Sequence, residues 1–301
     1  MNKSIVWADL PSCGLGNKLL VWAQAYWFSK SRAVPIVTSG WSNSSGIRTW
    51  LKGGGWRRYA GDFATSSLAC RVTTQLSKAL KGSVDEPELE IALQADKVYR
   101  FNKVPHWSDY FGYFNRGREV VLQGLWDLLN EPTKRRIEDS LKPEIAVHVR
   151  HGDFRPLKPG EEFAKVGLVR TSNDYFVSVI RGLRAVAGND VPVTLFSDGK
   201  DKDLQDILSL GNITRAENNS AIIDIYRMAR SKVLVCSAGS TFSYWSCFIG
   251  GQPTILHRDH IHKPLRTAEW NESSFEGGVA EQVESWPSLL IKNIQDIQWT
   301  N

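Results

Sequence analysis

Residues 144–154 read EIAVHVRHGDF and bring His148, Arg150, His151 and Asp153 within one short stretch. A guanidinium presents several donors in a fixed fork, and it grips a phosphate in a way that lysine cannot reproduce. Ile145, Val147 and Val149 alternate with Ala146, His148 and Arg150, and the run stops at Gly152-Asp153. Alternation at period two predicts a strand, with His148 and Arg150 on one face near its C-terminal end. In an open α/β sheet, ligands lie outside the carboxyl ends of the strands, where Arg150, His151 and Asp153 would gather. The competing expectation is an edge strand whose Arg and His make only surface ion pairs.

A second stretch bears on that choice. KVLVCSAGSTFSYWSCFIGG at 232–251 reads as a buried strand, a turn of small residues and a helix that opens at Ser240-Thr241. Backbone N–H groups at a helix start, two hydroxyls and the positive helix end form a phosphate cradle that needs no metal. An ordinary helix cap is the alternative. Position decides between them. Arg150 and Ser240/Thr241 both fall at carboxyl ends of strands in one parallel sheet, so they can converge on one crevice. A cationic fork beside a helix N-terminus is what a diphosphate leaving group requires. Asp224, on the helix before the second stretch, is a candidate for the nucleotide base, since a carboxylate can accept two N–H groups from guanine. An exposed helix charge is the alternative there. Asp198, Asp201 and Asp203 are candidate metal ligands. Lys200 and Lys202 sit among them and would compete with a cation, so a solvated loop and no metal are expected.

The elements that must position these residues follow a strand–helix alternation. Residues 4–8 read as a first strand, DLPSCGLGN as a turn, and 17–30 as a helix with Leu20, Ala23, Tyr26 and Trp27 at helical spacing. Gly14, Gly16 and Asn17 fall in that turn, where a helix start can face an anion. The turn matches neither the GxxxxGK[ST] nor the GxGxxG pattern. A strand at 34–38, a long Trp- and Arg-rich loop at 39–62 and a helix at 63–81 are expected next. Residues 88–101 stay unassigned between helix and strand. Residues 105–130 turn helical toward their end, and a basic helix starts at Pro132. Beyond residue 140 the pattern is clearer: strands at 144–150, 191–197, 211–215, 232–236 and, as the last strand, 253–256. Helices fall between them, one capped by Thr171 or Ser172 with Asp174 in its first turn, others at 220–230 and 241–249. The tail 277–298 reads as helical, broken at Pro287. This is an α/β protein with parallel sheets. Residues 1–140 are expected as an N-terminal α/β domain and 141–301 as a C-terminal one, with the last helix free to pack back on the first.

Composition narrows the partners. The 301 residues are 42% apolar and 23% charged, with a net charge of +5, which describes a soluble globular protein. No run approaches the roughly 20 apolar residues of a membrane span. The N-terminal apolar stretch is too short for a signal peptide. Cys13, Cys70, Cys236 and Cys247 lack CxxC spacing, so zinc is not expected and reduced thiols of a cytoplasmic protein are, with peripheral membrane association left open. No run of like charges argues for nucleic acid. Eight of the twelve tryptophans precede residue 130, a surplus of aromatic faces that suits either sugar platforms or core.

Four motifs in order then carry a resemblance. VHVRHGDF at 147–154 resembles the HxRRGDY motif of the α-1,2-fucosyltransferase family, with His151 where a second arginine is usual. SAGSTFSYWSCFIG at 237–250 is similar to its NSTFSWWGA stretch, with Ala238 and Gly239 where asparagine is expected. LFSD at 195–198 resembles FSDD, and Asp224 matches the aspartate before the last motif. GLGNKLLVWAQAYWFSK is similar to GLGNQMFQYAFGRALA, Lys18 replacing glutamine. The Arg-His-Gly version also resembles the rhizobial α-1,6 relatives of the superfamily. The resemblance implies a GT-B arrangement of two facing Rossmann-like domains, GDP-fucose as donor, inversion at the anomeric carbon and no cofactor or metal. Arg150 would then be catalytic at the β-phosphate, with Asp153 as candidate base. His148, Asp198, Asp224, Ser240 and Thr241 would bind the donor, assisted by Gly14, Gly16 and Asn17. The acceptor would be an oligosaccharide or other glycan, held across the tryptophan-rich first domain. A transferase using another nucleotide sugar, and a non-catalytic nucleotide- or glycan-binding relative, are the alternatives.

Overall fold

The computed structural model describes residues 4–41, 59, 61–64, 82–152, 154–166, 169–259 and 262–300. The chain divides into two compact units, Met1–Glu138 and Asp139–Asn301. Asp153, Cys70, the expected helix at 63–81 beyond Ala64, and most of the loop at 39–62 lie outside the described residues.

The first unit is built on four short parallel strands. They are Ile5–Asp9 (β1), Ile36–Ser39 (β2), Ser83–Asp85 (β3) and Val98–Phe101 (β4), in the order β2-β1-β4-β3. Helix Leu15–Arg32 (α1) crosses over from β1 to β2 and buries Leu19, Leu20, Ala23 and Phe28. It ends where Ala33 turns left-handed at φ 52° and its N–H closes on Lys30 and Ser29 carbonyls. Of the unassigned 88–101 stretch, Val98–Phe101 is β4, whose Tyr99 and Phe101 rings stand 5.3 and 5.6 Å from Phe28, and the residues before it are turn and irregular chain. Helices Arg118–Leu128 (α2) and Glu131–Glu138 (α3) complete the unit. Trp7, Trp22 and Trp41 are all core residues at 5% exposure or less; Trp41 stacks on Phe63 at 4.2 Å. These three rings are spent on packing, so they offer no sugar platform.

The second unit carries a six-stranded parallel sheet. Its strands are Ile145–Val149 (β5), Val193–Ser197 (β6), Ile213–Arg215 (β7), Val233–Val235 (β8), Thr254–Leu256 (β9) and Glu276–Gly278 (β10), in the order β10-β9-β8-β5-β6-β7. Helices Asn173–Ala187 (α4), Gln205–Leu208 (α5), Ala221–Ala229 (α6), Thr241–Gly250 (α7), Ala268–Ser273 (α8) and Ser288–Gln295 (α9) alternate with them. Phe176, Val179, Ile180 and Leu183 recur along α4 at spacings of three and four, so one stripe faces the sheet. That stripe packs on Ile145, Val147 and Val149 of β5. Ser172 caps α4 by accepting from Asp174 N.

One correction concerns the end of the chain. The last strand is β10, not the one at 253–256; its sequence Glu-Gly-Gly carries no alternation and no β-branched residue, so pattern alone could not find it. The final helix α9 sinks Leu290 and Ile294 into the same core as α4, within its own unit, because that is where its apolar face finds cover. Among the described residues, no helix is long and apolar enough to cross a membrane.

Candidate functional site

Strand numbers in the second sheet climb outward from β5 on one side and from β8 on the other. Such a reversal between adjacent strands leaves a crevice at their carboxyl ends. Val147 pairs with Val235 across this junction. Just beyond, Arg150 N donates to Ser237 Oγ at 2.8 Å, and Ser237 Oγ donates to His148 O at 2.8 Å. One serine hydroxyl therefore ties the end of β5 to the turn after β8. β5 is a central strand, buried along its length, so the edge-strand expectation fails.

The other side of the loop is sewn to β6. Ser197 Oγ donates to Val149 O at 2.7 Å. Asp198, one residue on, pairs with the Arg150 guanidinium and accepts from His151 N at 2.8 Å and Gly152 N at 3.0 Å. Burial alone would push the Asp198 carboxyl up, but Arg150 and the two backbone N–H groups hold it below its ordinary value. Arg150 also lies 5.8 Å from the Phe154 ring. Gly152 is required by close approach, since a Cβ there would strike the Asp198 carboxylate. Asp198 thus fixes the direction of the guanidinium. Asp201 in turn pairs with Arg215, so arginines, and not the lysines suspected from sequence, occupy these two acids.

The turn after β8 is held by hydroxyls. Ala238 N donates to Thr171 Oγ1 at 3.0 Å and Gly239 N to Tyr244 Oη at 2.8 Å. Gly239 sits at φ 67°, a conformation that suits glycine. Ser240 occupies the cap position of α7, yet its side chain makes no capping hydrogen bond. The ordinary-cap alternative would have used that hydroxyl. Thr241 begins the helix, and the positive helix end stands at the crevice with them.

Behind this edge lie buried polar groups on the face covered by α6 and α7. His148 is 5% exposed, 5.1 Å from the Phe242 ring, and its Nδ1 has no partner. Burial, with Arg150 adding to it and Asp198 opposing, lowers its pKa to about 3, so the ring is neutral at ordinary pH. Asp224 stands in the first turn of α6. Burial lifts its pKa to about 6 against the pull of Arg227 and a hydrogen bond from Asn219. Arg227 is 7% exposed, 5.5 Å over the Phe196 ring and 3.9 Å from Asp224 Oδ1. Its Nε and Nη1, Asp224 Oδ1 and Ser220 Oγ have no hydrogen-bond partner. Buried polar atoms are seldom left so. Arg227 escaped the sequence reading, although its spacing of three from Asp224 on an amphipathic helix was there to be seen.

In the first unit, Gly14 caps α1 with an ordinary extended backbone, φ −64° and ψ 158°. The helix starts at Leu15, two residues earlier than expected, so Gly16 and Asn17 belong to its first turn. Lys18 is fully buried, and its ammonium donates to Pro11 O at 2.8 Å and to Gly40 O. Burial lowers the Lys18 pKa, with the Cys13 thiol opposing.

No protein-family model matches the chain, and no curated protein matches it in sequence. Solved structures do. A point mutant of FUT1 from Arabidopsis thaliana, in complex with GDP, is similar at a TM-score of 0.50 and 13% identity, over 89% of this chain and 73% of that one. That likeness is one of fold. The chain has an α/β architecture with two parallel sheets, a GT-B-like fold. NodZ α-1,6-fucosyltransferase soaked with GDP-fucose aligns at a TM-score of 0.47 and 14% identity, over 83% of this chain and 93% of that one. POFUT1 in complex with GDP aligns at 0.44 and 14%, over 85% and 98%.

Proposed function

We propose that the chain is a glycosyltransferase that moves fucose from GDP-fucose to a hydroxyl of a glycan, with inversion and without a metal. The observation that carries this reading is the meeting of Arg150 and the Ser237–Thr241 turn at the β5/β8 junction. A guanidinium held in direction by Asp198 loses little freedom when an anion arrives. In the reaction, the acceptor oxygen attacks the anomeric carbon while the bond to the β-phosphate oxygen breaks. The electron pair leaves on that oxygen, where Arg150, the Ser240 and Thr241 hydroxyls and the α7 N-terminus match the developing charge. Asp224 accepts from the guanine edge, with His148 beside the diphosphate. Asp153 is assigned as the acceptor's base. Fucose, and the α-1,2 linkage as the finer assignment, rest on the order of the four motifs; the GDP-bound FUT1 structure of like fold agrees with the nucleotide.

Thermal unfolding with GDP, GDP-fucose, GDP-mannose and UDP-glucose, each with and without EDTA, tests the donor. A ligand at about 100 times its dissociation constant stabilises by roughly 2.7 kcal/mol. GDP and GDP-fucose should raise the midpoint with EDTA present. Stabilisation by UDP-glucose, or only with metal, would overturn the donor; a response to GDP with no sugar transferred or hydrolysed would make the chain a binding protein.

A further inference from the structure

A cavity of about 510 Å³ opens between the first turn of α4 and the carboxyl ends of β9 and β10. It lies beside the crevice and shares none of its residues. Asp174, Tyr175, His257, Arg258, Asp259 and Glu281 line it. Its volume falls in the range of small-ligand sites.

The lining chooses the chemistry. Three of these side chains are carboxylates, and the one cation, Arg258, is taken by Glu281 at 2.9 Å and lies 3.9 Å from Asp259. An anion would be repelled, whereas carboxylates accept readily from hydroxyls. The wall is aromatic: His257 lies 4.6 Å from the Phe163 ring and 4.6 Å from the Tyr175 ring. Rings present broad apolar faces with polar edges, matching a ligand that alternates C–H and O–H surface.

Two further features set extent and position. A second hollow of about 560 Å³ shares His257, Arg258, Val279 and Ala280 and runs along the glycine-rich end of β10. The pair can hold more than one ring. Thr171, one residue before the cavity's Ser172, accepts from Ala238 N of the crevice turn. Only β8 separates β5 from β9, so their ends stand about 10 Å apart at ordinary strand spacing.

We propose that the cavity lined by Asp174, Tyr175, His257 and Glu281 is a binding site for an uncharged saccharide, holding the acceptor beside the crevice. Its role as acceptor site rests on the transferase reading above; its affinity for saccharide does not. Carboxylates take hydroxyl protons as hydrogen bonds, and the ring stacks against His257 and Tyr175.

Saturation-transfer NMR on the full chain with methyl glucoside, galactoside, mannoside and N-acetylglucosaminide tests the site, with GDP affinity measured on the same samples. At least one glycoside should bind to the wild type, lose about tenfold or more in affinity in both Asp174→Ala and His257→Ala, and leave GDP affinity unchanged. No glycoside bound, equal binding by both variants, or preference for inorganic phosphate would overturn the site. With GDP-fucose added, the bound glycoside should be the one fucosylated; fucose passing only to a glycoside whose use both variants leave intact would overturn the acceptor role. Glycoside binding without any GDP binding would sink the nucleotide reading and leave the saccharide site standing.

Discussion

Two strand–turn–helix units, β1–α1 in the first unit and β8–α7 in the second, begin alike and end differently. Both leave a parallel strand, turn through small residues and start a helix. The first closes on itself. Lys18 fills its own turn by donating to Pro11 O and Gly40 O, and nearby Asp9 takes the Arg100 guanidinium through Nε, at 3.0 Å, and Nη2. The second turn is held by neutral hydroxyls from Thr171 and Tyr244. It keeps Ser240 out of capping and has Arg150 tied to it. A buried cation inside a turn satisfies carbonyls; a cation beside a turn whose cap serine makes no capping bond can receive an anion. The same local motif thus becomes a brace in one place and a candidate site in the other.

Four changes probe that contrast, from the largest effect down. Arg150→Ala removes the guanidinium from the β8–α7 side and should lower transferase turnover by on the order of 10²–10³, with thermal stability nearly kept. Turnover near wild type would strip Arg150 of its role. Lys18→Met leaves Pro11 O in the β1–α1 turn and Gly40 O after β2 without their donor, which should cost about 1–3 kcal/mol in denaturant unfolding. A neutral result would mean that the turn does not depend on its lysine. Gly152→Ala forces the Asp198 carboxylate aside; GDP affinity should fall about tenfold while the unfolding midpoint moves little, and calorimetry reads both.

The smallest effect is a pH slope. The folded Asp224 titrates at about 6, against roughly 4 for an unfolded carboxyl. Between those values the folded chain binds more protons than the unfolded one, so stability falls as pH rises through that window. Asp224→Asn should remove the slope and stabilise at neutral pH by no more than about 1–2 kcal/mol, while weakening GDP. A slope that persists in the variant would assign it to another group.

How much of this was legible beforehand differs by element. Strand β5 announced itself because Ile145, Val147 and Val149 alternate cleanly, and α4 because Ser172 and Asp174 precede a stripe at helical spacing. β10 did not, since a Glu-Gly-Gly strand exists only by pairing with β9. Nothing in the local pattern marks Lys18 as buried; only the carbonyls of Pro11 and Gly40, the latter 22 residues away in sequence, make it a buried brace. The tryptophans were ambiguous because burial is a property of neighbours, and Trp7, Trp22 and Trp41 proved to be core.

By itself the sequence determined the alternation of strands and helices, the residue types at the strand ends and the four ordered motifs, all set by local periodicity and identity. Tertiary structure alone decided that β5 and β8 are neighbours, that Ser237 bridges them and that Asp198 takes Arg150. Those facts depend on strand order, and pairing between segments nearly 90 residues apart leaves no trace in the local pattern of either.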